Sequence, residues 1–129
     1  MNKIERFEDI IAWQKARQLT REIYACTRAG LFARDFGLRD QIQRASVSTM
    51  SNIAEGYERG GDKEFIQFLS NSKGSCSEVK SQLYVALDQR YILPAAFDGL
   101  YAAADEVGKL VNLARDMQVT IVAERVRPE

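Results

Sequence analysis

The chain has 129 residues, 46% of them hydrophobic and 28% charged, and its 18 Lys plus Arg balance 18 Asp plus Glu to a formal net charge of zero. That length suits one domain with a core of its own, and the neutral balance supplies no overall field to gather a polyanion. Histidine is absent and the two cysteines stand in no Cys-x-x-Cys spacing, which removes the commonest general base, the commonest transition-metal ligand and the zinc-cage pattern.

Helical spacing recurs along the chain and apolar alternation never lasts, so an all-α fold is expected. A first helix is predicted over residues 9–28, where Ala12, Ala16, Leu19, Ile23 and Cys26 step onto one stripe. Gly30 and Asp35 mark the loop after it. The second helix, over 36–57, carries Leu38, Ile42, Ala45, Thr49 and Ile53. Gly56, Gly60 and Gly61 read as its breakers and Asp62 as the N-cap of the next helix. The third, over 62–90, keeps a seven-residue phase through Phe65, Leu69, Ser72, Cys76, Val79, Leu83 and Ala86. Such a seam implies shallow, left-handed packing on its neighbours. Pro94 suits a first helical turn and opens a fourth helix over 94–122, with Leu100, Ala103, Val107, Leu110, Ala114, Met117 and Ile121 as its seam. Pro128 and the polar carboxyl end are expected to fray. Four helices with short connections close most economically as an antiparallel up-down-up-down bundle, here a single domain over residues 1–129. Cys26 and Cys76 both fall on stripes, where a free thiol packs as a small hydrophobe.

Residues 48–56 read Ser-x-x-Ser-Asn-Ile-Ala-Glu-Gly: Ser48, then Ser51, Asn52, Ile53, Ala54, Glu55 and Gly56. Around them, Phe7 to Ala16 look like an opening helix, Gly37-Leu38 with Gln41 and Arg44-Ala45 like a second, and Gly74-Ser75-x-x-Glu78 like a third. On these strings the chain resembles the four-helix-bundle proteins of the 23S rRNA intervening-sequence family, and is similar to the related accessory variability determinant of diversity-generating retroelements. Thr49-Met50 and Asn71-Ser72-Lys73 are more polar than that pattern. The resemblance implies a homopentamer with bundles set as barrel staves around a channel, and it brings no assigned activity.

Ser70, Ser72, Gly74, Ser75 and Ser77 crowd the third helix, and relative to alanine they weaken it by roughly 3 kcal/mol. The small residues of the 48–56 string have the same character, so the two segments are expected to meet in a tight, partly polar contact. Asn52, Glu55 and Glu78 then form either a hydrogen-bonded network that fixes register or a two-carboxylate site for acid–base work or a hard cation. The first is preferred: the di-metal bundles need Glu-x-x-His repeats, a serine here has no base to activate it, and no phosphate loop is present. No cofactor and no catalysis are expected.

At 100° per residue, Ile66 and Tyr84 stand roughly 120° off the third seam, and Tyr101 and Val119 as far off the fourth. They are the candidate subunit interface. Arg17, Arg21 and Arg28 share one face of the first helix, and with Arg44, beside Arg39, they are the candidate nucleic-acid contacts. Glu22, Asp40, Glu55 and Glu58 are interleaved with them. The sequence therefore supports a non-catalytic, self-associating interaction or scaffolding module. The alternative is a nucleic-acid-binding accessory that partners RNA or a reverse transcriptase. No apolar run approaches the ~20 residues of a membrane span and no secretory leader is evident, so a cytoplasmic location is expected.

Overall fold

In the computed structural model, which describes residues 3–125, four helices follow one another: α1 (Ile11–Thr27), α2 (Phe36–Glu58), α3 (Asp62–Asp88) and α4 (Pro94–Arg125). Pro128 and the expected fraying beyond it lie outside the described residues. Single 3-10 turns at Phe7–Asp9 and Phe32–Arg34 precede α1 and α2, and no strand occurs among the described residues. α1 and α3 each pack against both α2 and α4, which closes a four-helix bundle around one apolar core. Ser48 meets Ser75 and Gly56 meets Phe65, while Cys76 meets Ala104 and Tyr84 meets Phe97.

The helix ends have local causes. Asp9 belongs to the first 3-10 turn, where its carboxylate accepts the backbone N–H groups of Glu5 (3.0 Å) and Arg6 (3.2 Å), so α1 starts later than the spacing predicts. Asp35 caps α2 by accepting the Leu38 N–H at 3.1 Å. Gly56 is no breaker: it is buried inside α2, and Gly60, at φ 79°, is the residue that turns the chain out of the helix. Extended Gly61 takes the N-cap position, leaving Asp62 as the first residue of α3. Arg90, at φ 60°, stops α3 short of the expected end.

The stripe of α3 is buried as its seven-residue phase predicts, from Leu69 through Ser72, Cys76, Val79 and Leu83 to Ala86, with Phe65 half-buried. In α1 the last buried residue is Thr27 rather than Cys26. The Thr27 hydroxyl donates to the Ile23 carbonyl at 2.8 Å and accepts from Gln43, so its burial leaves nothing unpaired. α4 corrects the predicted seam more deeply. Its buried line is Phe97, Leu100, Ala104, Val107 and Val111, with Gly108 beside it. Ala103, Leu110 and Ala114 are only half-buried, and Met117 and Ile121 are exposed. Ala102, Ala103 and Ala104 are equally apolar and carry no phase.

α2 and α3 approach closely at Gly56. A Cβ there would lie 2.5 Å from the Cβ of Phe68 and 3.1 Å from the Phe65 ring. The Phe68 Cβ is anchored to backbone and cannot swing aside. Gly74, by contrast, is exposed and faces nothing within 4 Å. One substitution should thus have opposite signs at the two sites. Gly56→Ala is expected to destabilise by about 1–3 kcal/mol through overpacking, and Gly74→Ala to stabilise by about 0.5–1 kcal/mol through helix propensity. Urea unfolding followed by circular dichroism reads both.

Candidate functional site: a polar seam between α2 and α3

Two hydroxyl contacts stitch α2 to α3. The buried Ser72 hydroxyl donates to the Thr49 carbonyl at 2.6 Å, and the Ser48 and Ser75 hydroxyls share a hydrogen bond of 2.8 Å. Asn52 fixes the second contact from within α2: its Nδ2 donates to the Ser48 carbonyl (2.8 Å) and hydroxyl (3.0 Å). Thr49 and Ser72, polar where the resembled pattern is apolar, are satisfied separately: Ser72 on the Thr49 backbone carbonyl, and the Thr49 hydroxyl on the Ala45 carbonyl at 2.8 Å.

Beside these contacts opens a groove of about 340 Å³, lined by Gln41, Arg44, Ser48, Ser75, Glu78 and Gln82 over Ala45. The other residues of the 48–56 string lie elsewhere. Ile53 is in the core, Ala54 is half-buried and Ser51 is exposed. Glu55 points to solvent and pairs with Arg59 at 2.9 Å. Asn52 therefore joins the network, while Glu55 does not, and Glu78 makes no hydrogen bond to it. Glu78 lines this groove and Glu55 does not. Among the described residues no three His, Cys, Asp or Glu side chains gather as metal ligands.

The arginines divide between two places. Arg17, Arg21 and Arg28 are exposed on α1, with the Arg17 guanidinium 5.8 Å from the Trp13 ring centroid and that of Arg28 5.8 Å from the Tyr24 ring. Arg44 instead lines the α2–α3 groove, and Arg39 pairs with Asp40 at 3.1 Å. None of Arg17, Arg21, Arg28 and Arg44 forms an ion pair with a described carboxylate.

On the outer side of α3 and α4, Tyr84 and Tyr101 come together at 5.7 Å between ring centroids, both against Phe97. Lys80 lies 5.0 Å from the Tyr101 ring centroid and bonds Asp105 at 3.0 Å. That hydrogen bond, with a second from Lys109, holds the Asp105 carboxyl below the usual carboxylate range. Ile66 is half-buried and Val119 is half-exposed, and neither joins the aromatic cluster. Sequence reasoning missed a second apolar surface. Ile4, Ile11, Leu113 and Met117, each at least half exposed, line a groove between the start of α1 and the outer half of α4. An off-seam count on α1 would have flagged Ile11.

The family model described as 23S rRNA-intervening sequence protein matches residues 8–113. No curated protein matches the chain. Among solved structures, the chain is similar to the crystal structure of a protein with unknown function from the S23 ribosomal protein family of Bacteroides thetaiotaomicron VPI-5482. The two are 20% identical with a TM-score of 0.71, over 78% of this chain and 94% of that one. At that identity the likeness speaks for the fold alone.

The thiols are held protonated. Burial pushes Cys26 up to about 11, and burial likewise raises Cys76, whose Sγ donates to the Ala104 carbonyl at 3.0 Å. A thiolate is the nucleophilic form, so neither cysteine is primed for chemistry at neutral pH. The linkage has a definite sign. Between the ordinary thiol value of 9.0 and about 11 the unfolded chain loses the Cys26 proton while the folded chain keeps it, so stability falls as pH rises through that window. Denaturant midpoints measured from pH 8 upward are expected to drop, and a Cys26→Ala variant should show a shallower decline.

Proposed function

This chain belongs to the 23S rRNA-intervening sequence protein family, and from that premise we propose that it is a self-associating interaction or scaffolding module without chemistry of its own. The fold we assign is an antiparallel up-down-up-down bundle, supported by contact registers that run in opposite senses along neighbouring helices. The observation that carries the reading is the aromatic ridge on α3 and α4. Tyr84, against Phe97 and Tyr101, remains 50% exposed. Aromatic side chains are enriched at protein interfaces, and apolar surface of this kind marks a partner site. The partner is a second copy of the chain, and the assembly is a homopentamer, as the family resemblance implies. No helix of the described residues is long and apolar enough to cross a membrane, which agrees with a cytoplasmic module.

Light scattering after size exclusion is expected to give about five times the 14.6 kDa chain mass. Tyr84→Glu together with Tyr101→Glu should reduce it to a single chain with helicity intact. A parent protein that runs as a monomer overturns the proposal.

A second reading, a nucleic-acid-binding accessory, draws on the α1 face. Arg17 and Arg28 stand unpaired with carboxylates and lie over Trp13 and Tyr24. A cation beside an aromatic ring suits single strands, which take phosphate contacts and base stacking together. Under this reading Arg17→Glu with Arg21→Glu abolishes retention of single-stranded RNA, and the lost contacts flatten the salt dependence by about 0.7 log units per phosphate. Absence of retention by the parent at low salt ends it.

A further inference from the structure

We propose that the groove between α2 and α3 binds a small zwitterion, a free α-amino acid, with its carboxylate at Arg44 and its ammonium at Glu78. The first support is a pair of opposite charges left open. Arg44 stands on the α2 wall and Glu78 on the α3 wall of one groove. Neither enters a hydrogen bond or ion pair among the described residues, with the other or with anything else. Elsewhere on the molecule charged neighbours do close, as Glu55 with Arg59 at 2.9 Å and Lys80 with Asp105 at 3.0 Å.

The second support is an unmet acceptor. Gln82, one turn beyond Glu78 on the same wall, has its Oε1 buried with no donor. A buried polar atom without a partner is costly and rare in native proteins. An ammonium carries three N–H donors, enough for the Glu78 carboxylate and, once the Gln82 side chain turns toward the groove it lines, for its amide oxygen. The floor is already fixed. Ser48 and Ser75 are bonded across the seam and Asn52 holds Ser48 in place, so binding orders little that is not ordered in the free protein.

Charge chooses among ligands. A phosphate at Arg44 would face the Glu78 carboxylate, and a metal cation at Glu78 would face the Arg44 guanidinium. A molecule with both signs meets both walls. The volume of about 340 Å³ lies at the lower end of small-molecule sites, which suits an amino acid better than a nucleotide. Because the two charges belong to different helices, the bound zwitterion ties α2 to α3 and raises the melting temperature by mass action. The shift is read at one fixed protein concentration, which holds self-association constant.

The test is a thermal-shift titration of the full chain with a panel of free L-α-amino acids, each beside its N-acetyl and carboxamide derivatives. At least one amino acid is expected to raise Tm at millimolar concentration, and its two derivatives, each lacking one charge, to leave it unchanged. Arg44→Gln and Glu78→Gln should each weaken binding at least tenfold. In the unmodified protein, the Gln82 side-chain amide resonance should move with the same ligand, a readout that requires no variant to fold. A panel without any shift, derivatives that shift Tm as much as their parents, or an Arg44→Gln variant that binds as well as the parent overturns the proposal.

Discussion

The close seating of α2 on α3 at Gly56 is the constraint from which most of the molecule follows. With the Cβ position of residue 56 only 2.5 Å from the Phe68 Cβ, only glycine lets the two backbones come so near. At that spacing a hydroxyl on a single carbon spans from helix to helix, and Ser72 reaches the Thr49 carbonyl while Ser48 reaches Ser75. Two of the serines that disfavour α3 as an isolated helix, Ser72 and Ser75, are, in place, its connections to α2, whereas Ser77 bonds the Lys73 carbonyl of its own helix. Gly74 takes no part in this approach and simply weakens the helix locally.

The legibility of the fold tracked the bulk of the residues on each stripe. α3 was readable because Leu69, Val79 and Leu83 repeat at a strict seven-residue phase with small residues between. α4 was not, because its alanine run fits two adjacent stripes and Gly108, buried beside Cys76, has no hydropathy to signal its place. Apolarity favours Cys26 over Thr27 as the buried residue, whereas a threonine in a helix can satisfy its hydroxyl on the carbonyl four residues back. Gly56 illustrates the same gap. A glycine that breaks a helix and one that admits a neighbour look alike in sequence, and only the opposing helix tells them apart.

At the candidate site, the meeting of the two small-residue segments was foreseeable, but the allotment of charges was not. Glu55 and Glu78 look equivalent along the chain, yet one lies within reach of Arg59 on its own helix and the other borders a groove with Arg44. Arg44 likewise separates from the α1 arginines because α2 turns one side to α1 and another to α3. Such assignments depend on rotation about the helix axis relative to neighbours. Single-sequence periodicity supplies that rotation only where a stripe is well marked. The family match stops at residue 113, so Met117, Val119 and Ile121, exposed on the last turns of α4, lie beyond the matched region.

The two ends of the bundle are held differently. At one end Asp35 divides its carboxylate between the Leu38 N–H and the Tyr91 hydroxyl, 2.9 Å away, and the Tyr91 ring rests on fully buried Phe32. That single side chain couples the connection between α1 and α2 to the connection between α3 and α4, which are far apart in the chain. At the other end the last buried residue of α4 is Val111. There an ion pair between Arg125 and Asp62 joins the last turn of α4 to the start of α3. Amide protons near Asp35 should therefore exchange through one cooperative opening, whereas the opposite pole is latched by a surface ion pair.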